Sequence, residues 1–136
     1  MTQGSPSTFV FGLAVAGRAV ATSLRERGAE VVVGDDKLTD EHRSFAQSIG
    51  ARVVDIARDG ELQRVMSSVS VLSPAPGVAE NHGVIRSARE NGVSIQSEIE
   101  IAYRMEYLRS GGPRPMVAIT GTDGKTTTTL MANAML

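Results

Sequence analysis

Short β-branched apolar runs alternate along this chain with longer stretches in which apolar residues recur at helical spacing. This switching of period, two and then 3.6, predicts stacked βαβ units around a buried, mostly parallel sheet. Strands are expected at 8–11, 30–33, 52–54, 69–72, 94–96 and 116–120. Helices are expected at 16–27, 39–49, 61–67, 82–91 and 98–109, with another opening near Lys125. Gly28, Gly50 and Gly92 each follow a helix and precede a strand by two residues, where a left-handed helix stop favours a residue without a Cβ. Ser97 and Glu100 have the spacing of a capping box. They open a helix whose Ile101, Ala102, Met105 and Leu108 share one face, expected to meet the core.

Ser110-Gly111-Gly112-Pro113-Arg114-Pro115 mixes flexible and rigid loop formers ahead of a new apolar run, as interdomain linkers do. The organisation expected is therefore a first α/β domain over 1–110, a linker at 111–115 and the start of a second domain at 116–136. Twenty-one residues are too few for a domain, so the chain reads as a piece of a longer polypeptide, and poor order is expected after Gly121.

The 136 residues include 14 Lys or Arg and 15 Asp or Glu, a net charge of −1. That balance argues against nucleic acid or an anionic membrane as the main partner, since both recruit clustered Lys and Arg. Cysteine is absent, which removes disulfides, thiolate metal sites and cysteine nucleophiles. His42 and His82 lie too far apart for a local zinc motif, so a metal would be held by oxygens. The apolar stretch 9–17 is nine residues long and no basic residue precedes it, which suits neither a membrane span nor a secretory leader. A cytoplasmic protein is expected.

Strand one runs into Gly12-Leu13-Ala14-Val15-Ala16-Gly17 and then a helix, the position at which a Rossmann-like fold sets a phosphate against backbone N–H groups. Ala14 stands where the dinucleotide fingerprint has its middle glycine, and the alternative is that small residues here only allow tight strand-to-helix packing. Eighteen residues beyond Gly17, strand two ends at Asp35-Asp36-Lys37, where such folds place an acid that accepts from a ribose or base; the pair could equally cap the next helix. Ser73-Pro74-Ala75-Pro76-Gly77 forms a rigid turn after strand four, on the same edge of the sheet. The sharpest motif is Thr120-Gly121-Thr122-Asp123-Gly124-Lys125-Thr126-Thr127. Its glycines let N–H groups converge on phosphate oxygens, Lys125 supplies a point charge, and the Thr126 hydroxyl can ligate Mg²⁺. Ile119 occupies the position of the first glycine in G-x-x-x-x-G-K-[ST].

That last loop resembles the one in the Mur ligases of peptidoglycan synthesis, T-G-T-N-G-K-[ST], which also lacks the first glycine. The branch of the family that adds D-glutamate carries G-L-G-x-T-G after strand one and S-P-G-[IV] after strand four. This chain has Gly12-Leu13-Ala14-Val15-Ala16-Gly17 and Ala75-Pro76-Gly77-Val78, and Glu98-Ile99-Glu100 matches a D-I-E stretch of the family. The resemblance runs from Thr8 to Leu136. It implies a Rossmann-like three-layer domain with a five-stranded sheet, followed by the first strand and phosphate loop of a truncated ATPase domain. It further implies that Gly12 to Gly17 lie against the diphosphate of a UDP-linked substrate, with Asp35, Asp36 and Lys37 beside the uracil or ribose and Ala75, Pro76 and Gly77 closing over the base. Gly121, Thr122, Asp123, Gly124, Lys125, Thr126 and Thr127 would belong to the ATP site, Thr126 on Mg²⁺. The implied partners are UDP-N-acetylmuramoyl-L-alanine, D-glutamate and ATP, acting on a monomer, with no catalytic residue in this stretch. A nicotinamide-dinucleotide domain of a dehydrogenase or sensor, or a module that binds protein through the sheet edge, are the competing readings.

Overall fold

The computed structural model describes residues 7–135; residues 1–6 of the expected first domain and Leu136 lie outside the described residues. Five strands form, β1 (Thr8–Phe11), β2 (Val31–Gly34), β3 (Arg52–Val53), β4 (Val71–Pro74) and β5 (Ser94–Ile95). They pair in parallel throughout, in the order β3-β2-β1-β4-β5. Helices α1 (Val15–Glu26), α2 (Asp40–Ser48), α3 (Glu61–Met66), α4 (Gly83–Glu90) and α5 (Glu98–Tyr107) alternate with them, and α6 (Lys125–Met135) follows. This is the α/β, Rossmann-like arrangement expected from the periodicity.

Every residue of β1 is buried, because β1 is central and both of its faces are covered. Phe9 pairs in register with Val32 on one side and Leu72 on the other. These three share a core cluster with Val65 and Met66 of α3 and with Val84, Ile85 and Ala88 of α4. The next residue, Val10, pairs with Val33 and Ser73 and points to the opposite face, as alternation along a strand demands. There α1 packs on β1 and β2, burying Gly17, Val20 and Ala21, and α2 packs on β3. Right-handed crossovers put α1 and α2 on one face and α3 and α4 on the other.

β4 sits two residues later than the periodicity indicates and runs to Pro74. Proline is tolerated inside the sheet there because β5 ends at Ile95, opposite Leu72, so no ladder bond is asked of the outer side of Pro74. On α5, Ser97 Oγ accepts from the Glu100 N–H at 3.2 Å, but the Glu100 carboxylate turns to Arg104 at 2.7 Å, so only half of the capping box closes. Of the face expected to meet the core, only Ile101 is buried; Ala102 and Leu108 are exposed. Periodicity tells which residues share a face, and it carries no information on whether another element covers that face.

By internal contacts the chain divides into one compact unit ending at Arg104 and another starting at Met105. In the second unit the expected strand 116–120 does not form, and Met116 and Val117 are exposed. An apolar β-branched run becomes a strand only when a neighbour completes its ladder, and none of the described residues of this unit forms one. After Gly121 the expected helix, α6, forms, opened by the Thr128 N–H on the Gly124 carbonyl at 2.9 Å, although none of its residues is buried. A local i to i−4 ladder needs no partner strand.

The linker segment is pinned by Glu106, whose Oε1 accepts from the backbone N–H and Nε of Arg114, both at 2.9 Å, and whose Oε2 accepts from Nη2 at 2.7 Å. These charge-assisted bonds hold the Glu106 carboxyl at about 2, below its ordinary 4.5. The pair therefore contributes fully above about pH 4.5, and its contribution is lost as pH falls through 2. A carbon-detected NMR titration should place the Glu106 midpoint near 2 in the native chain and return it toward 4.5 in Arg114→Ala.

Candidate functional site

β2, β1 and β4 are neighbours and run in parallel, so the loops that follow them line one edge of the sheet. Between β1 and β4 the chain's winding reverses, with β2 lying on one side of β1 and β4 on the other. Crevices for ligands open at such switch points, outside the carboxyl ends of the strands. All twelve residues that the sequence assigns to the first site, Gly12 to Gly17, Asp35 to Lys37 and Ala75 to Gly77, fall on this edge.

Gly12 adopts φ +93°, and a Cβ added to it would lie 2.6 Å from the Ala75 methyl. Gly17 is excluded from being anything larger by sterics alone, since its Cβ would lie 1.9 Å from the Gly12 carbonyl oxygen. The two glycines thus bring the turn, the start of α1 and the end of β4 into direct contact. Thr39 Oγ1 caps α2 and His82 Nδ1 caps α4, each accepting a backbone N–H at 3.2 Å. α1 has no such cap: its N-cap residue is Ala14, and its first turn carries no acid. The first N–H groups of a helix have no partner within it, and with the helix dipole they favour an anion at that end.

The loops around this turn are tied to one another. Asp35 Oδ2 accepts the Leu13 N–H at 2.7 Å, and its Oδ1 accepts the Lys37 N–H at 3.1 Å. Arg18, which no local motif marks, donates from Nε to the Leu13 carbonyl at 2.8 Å. His82 Nε2 lies 3.2 Å from both oxygens of Asp36, and the ring rests against Phe11 at 5.2 Å between centroids. With Nδ1 accepting the Val84 N–H, the proton belongs on Nε2, which donates to Asp36. Its position just before Gly83 was the available signal for a cap, but nothing local could reveal Asp36, 46 residues away. Ala75 completes the β1–β4 ladder through its N–H on the Phe11 carbonyl at 2.7 Å. Ala16, Gly17 and Val20 close against Ser73 to Pro76, with Glu98 at the border, leaving no space between them wide enough for a water molecule.

In the second unit, residues 121–127 form an exposed turn at the start of α6. Lys125 folds back so that Nζ donates to the carbonyl oxygens of Gly121 and of Thr122, the latter at 3.1 Å. Thr126 and Thr127 stand in the first turn of the helix. A glycine loop, one lysine and helix-start hydroxyls are the donor set of a nucleotide polyphosphate, so these residues fit ATP and Mg²⁺, with the Thr126 hydroxyl among the oxygens that could ligate the metal. Among the described residues no group of three His, Cys, Asp or Glu could hold a metal on its own. No helix among them is long and apolar enough to cross a membrane.

No protein-family model matches the chain. It is 34% identical over 128 residues, 93% of its length, to UDP-N-acetylmuramoylalanine–D-glutamate ligase of Bacillus thuringiensis strain Al Hakam, and equally to that ligase of Bacillus cereus strain B4264. It spans about a quarter, 27%, of the length of these curated relatives. Among solved structures, the murein peptide ligase of Psychrobacter arcticus 273-4 superposes with a TM-score of 0.64 at 20% identity, covering 95% of this chain and 26% of that one. UDP-N-acetylmuramate:L-alanyl-gamma-D-glutamyl-meso-diaminopimelate ligase of Neisseria meningitides gives 0.57 at 14% identity over 70% of this chain and 29% of that one. At these identities the structures speak for the fold, and the sequence relatives carry the resemblance. Over the quarter of their length that it spans, the chain is similar in sequence and fold to ligases of the Mur family.

Proposed function

We propose that this chain is the UDP-binding part of an ATP-dependent ligase that joins D-glutamate to UDP-N-acetylmuramoyl-L-alanine, together with the opening of its ATP-binding domain. The observation that carries this is the uncapped start of α1, approached through Gly12 and Gly17 at the switch point between β1 and β4. There the N–H groups of 15–17 meet the diphosphate. The β2 loop, with Asp36 and Lys37, and the turn at Ala75, Pro76 and Gly77 flank the uridine. In the complete ligase the substrate carboxylate would take the γ-phosphoryl group of ATP, releasing ADP, and the amine of D-glutamate would displace phosphate to form the amide; a Mg²⁺ ion would supply charge neutralisation on the phosphates. The chain's own contribution to that step is Lys125, drawn from the Gly121 and Thr122 carbonyls to phosphate, and Thr126, turned to the metal. Catalysis by these groups is positioning and charge neutralisation, and this chain alone is inactive. The protein works in the cytoplasm as a monomer.

Titration of the isotope-labelled chain with UDP tests this reading. The amides of 12–17 and 35–37 should shift and saturate, and excess NAD should not compete. Unmoved amides, or saturable NAD binding untouched by UDP, would overturn it.

A further inference from the structure

The turn after β1 is held by two side chains that both act on Leu13. The N–H of Leu13 donates to Asp35 Oδ2 at 2.7 Å, and its carbonyl accepts from Arg18 Nε at 2.8 Å, so both of its backbone polar groups are engaged. The Leu13 side chain is fully buried, which leaves the residue nothing to present to a ligand. Arg18 is itself fixed: Nη2 pairs with Glu41 Oε1 of α2 at 2.7 Å, and the guanidinium lies 5.3 Å from the centre of the Phe45 ring. A guanidinium held by a carbonyl, a carboxylate and a ring face is oriented by those contacts toward Leu13 and α2. Asp35, with one oxygen on Leu13 and the other on Lys37, is likewise turned toward the protein.

We infer that Arg18 and Asp35 are positioning residues: together they clamp the Leu13 peptide so that the next N–H groups, at the start of α1, are set in advance for the diphosphate. The inference rests on the UDP reading above and moves Asp35 from the ligand's ribose or base to the loop. In this sequence Ala14 and Ala16 offer no side-chain donor, so the diphosphate is held by backbone, and backbone donors contribute only as well as they are aimed.

The test compares the native chain with Arg18→Met, which keeps the apolar stem beside Phe45, and with Asp35→Ala and Asp35→Asn. Each is titrated with UDP and with uridine, and exchange of the Leu13 amide is followed without ligand. Arg18→Met should weaken UDP roughly tenfold, the size expected for a lost charge-assisted bond, and leave uridine unchanged. Asp35→Ala should do the same and expose the Leu13 amide to exchange, while Asp35→Asn, which keeps an acceptor for Leu13, should recover most of the affinity. Glu41→Gln, remote from the ligand, should weaken UDP in the same direction by about twofold to threefold, and serves if Arg18→Met fails to fold. Equal loss of UDP and uridine, unaltered UDP affinity, or Asp35→Asn as weak as Asp35→Ala would overturn the inference. If the native chain takes no UDP, the ligand reading falls, and Leu13 exchange alone then decides the clamp: unchanged exchange in both Arg18→Met and Asp35→Ala rejects it.

Discussion

Gly17→Ala is expected to cost the fold about 3 kcal/mol or more, the upper range for overpacking, because the strain falls on backbone. The added Cβ would stand 1.9 Å from the Gly12 carbonyl oxygen and 3.0 Å from its carbon. No rotamer relieves that contact, since a methyl has none. The Gly12 carbonyl cannot retreat either: the N–H of the same peptide, that of Leu13, is bound to Asp35 Oδ2 at 2.7 Å, and Ala75 closes the other side of Gly12. The start of α1 must therefore move away from β1, opening the turn. Thermal melting should show a drop on the order of 10 °C, from about 3 to 5 °C per kcal/mol for a chain of this size. UDP titration of the refolded variant should show loss of the amide shifts at 12–17. A melting point within about 2 °C of the native value would mean that the contact is not as close as described.

Phe9→Ala is expected to cost about 3 to 5 kcal/mol, the range for removing a buried phenylalanine and leaving a cavity. Phe9 is fully buried at the middle of β1, edge-on to Phe11 with centroids 5.9 Å apart. Its ring also occupies the space beside Gly34, where a Cβ would come within 3.0 Å of it. The cluster it joins draws on α3, α4 and three strands, so the space it leaves cannot be filled by moving one side chain. Urea denaturation should show the midpoint falling with an unchanged slope, since the surface exposed on unfolding is nearly the same. A loss below about 1 kcal/mol would show that this face of the sheet can collapse onto the gap.

Much of the site could be read from residue types alone, and the reason is steric. Gly12 and Gly17 stand where a Cβ cannot, and the apolar run 8–11 reads as a strand because both of its faces are covered. The uses of individual polar groups could not be read in this way. Asp35 looks like a ligand acceptor by its distance from Gly17, and only the fold reveals that its oxygens also accept the Leu13 and Lys37 N–H groups. Arg18 looks like an ordinary exposed helical arginine, yet it reaches back to Leu13. The run 116–120 has a strand's composition and lacks a strand's neighbour.

By itself the amino-acid order determined the alternation of strands and helices, their parallel class, the glycine turns and the resemblance to peptidoglycan ligases. Each of these depends on periodicity, on φ and Cβ sterics, or on short contiguous motifs, which act within a few residues. The tertiary structure alone decided the strand order, the bond from Asp35 across 22 residues to Leu13, the Asp36–His82 bridge across 46, and the absence of a strand at 116–120. Those outcomes depend on which partner is brought within about 3 Å of a given donor or acceptor, and closing the chain over such separations is a property of the whole fold.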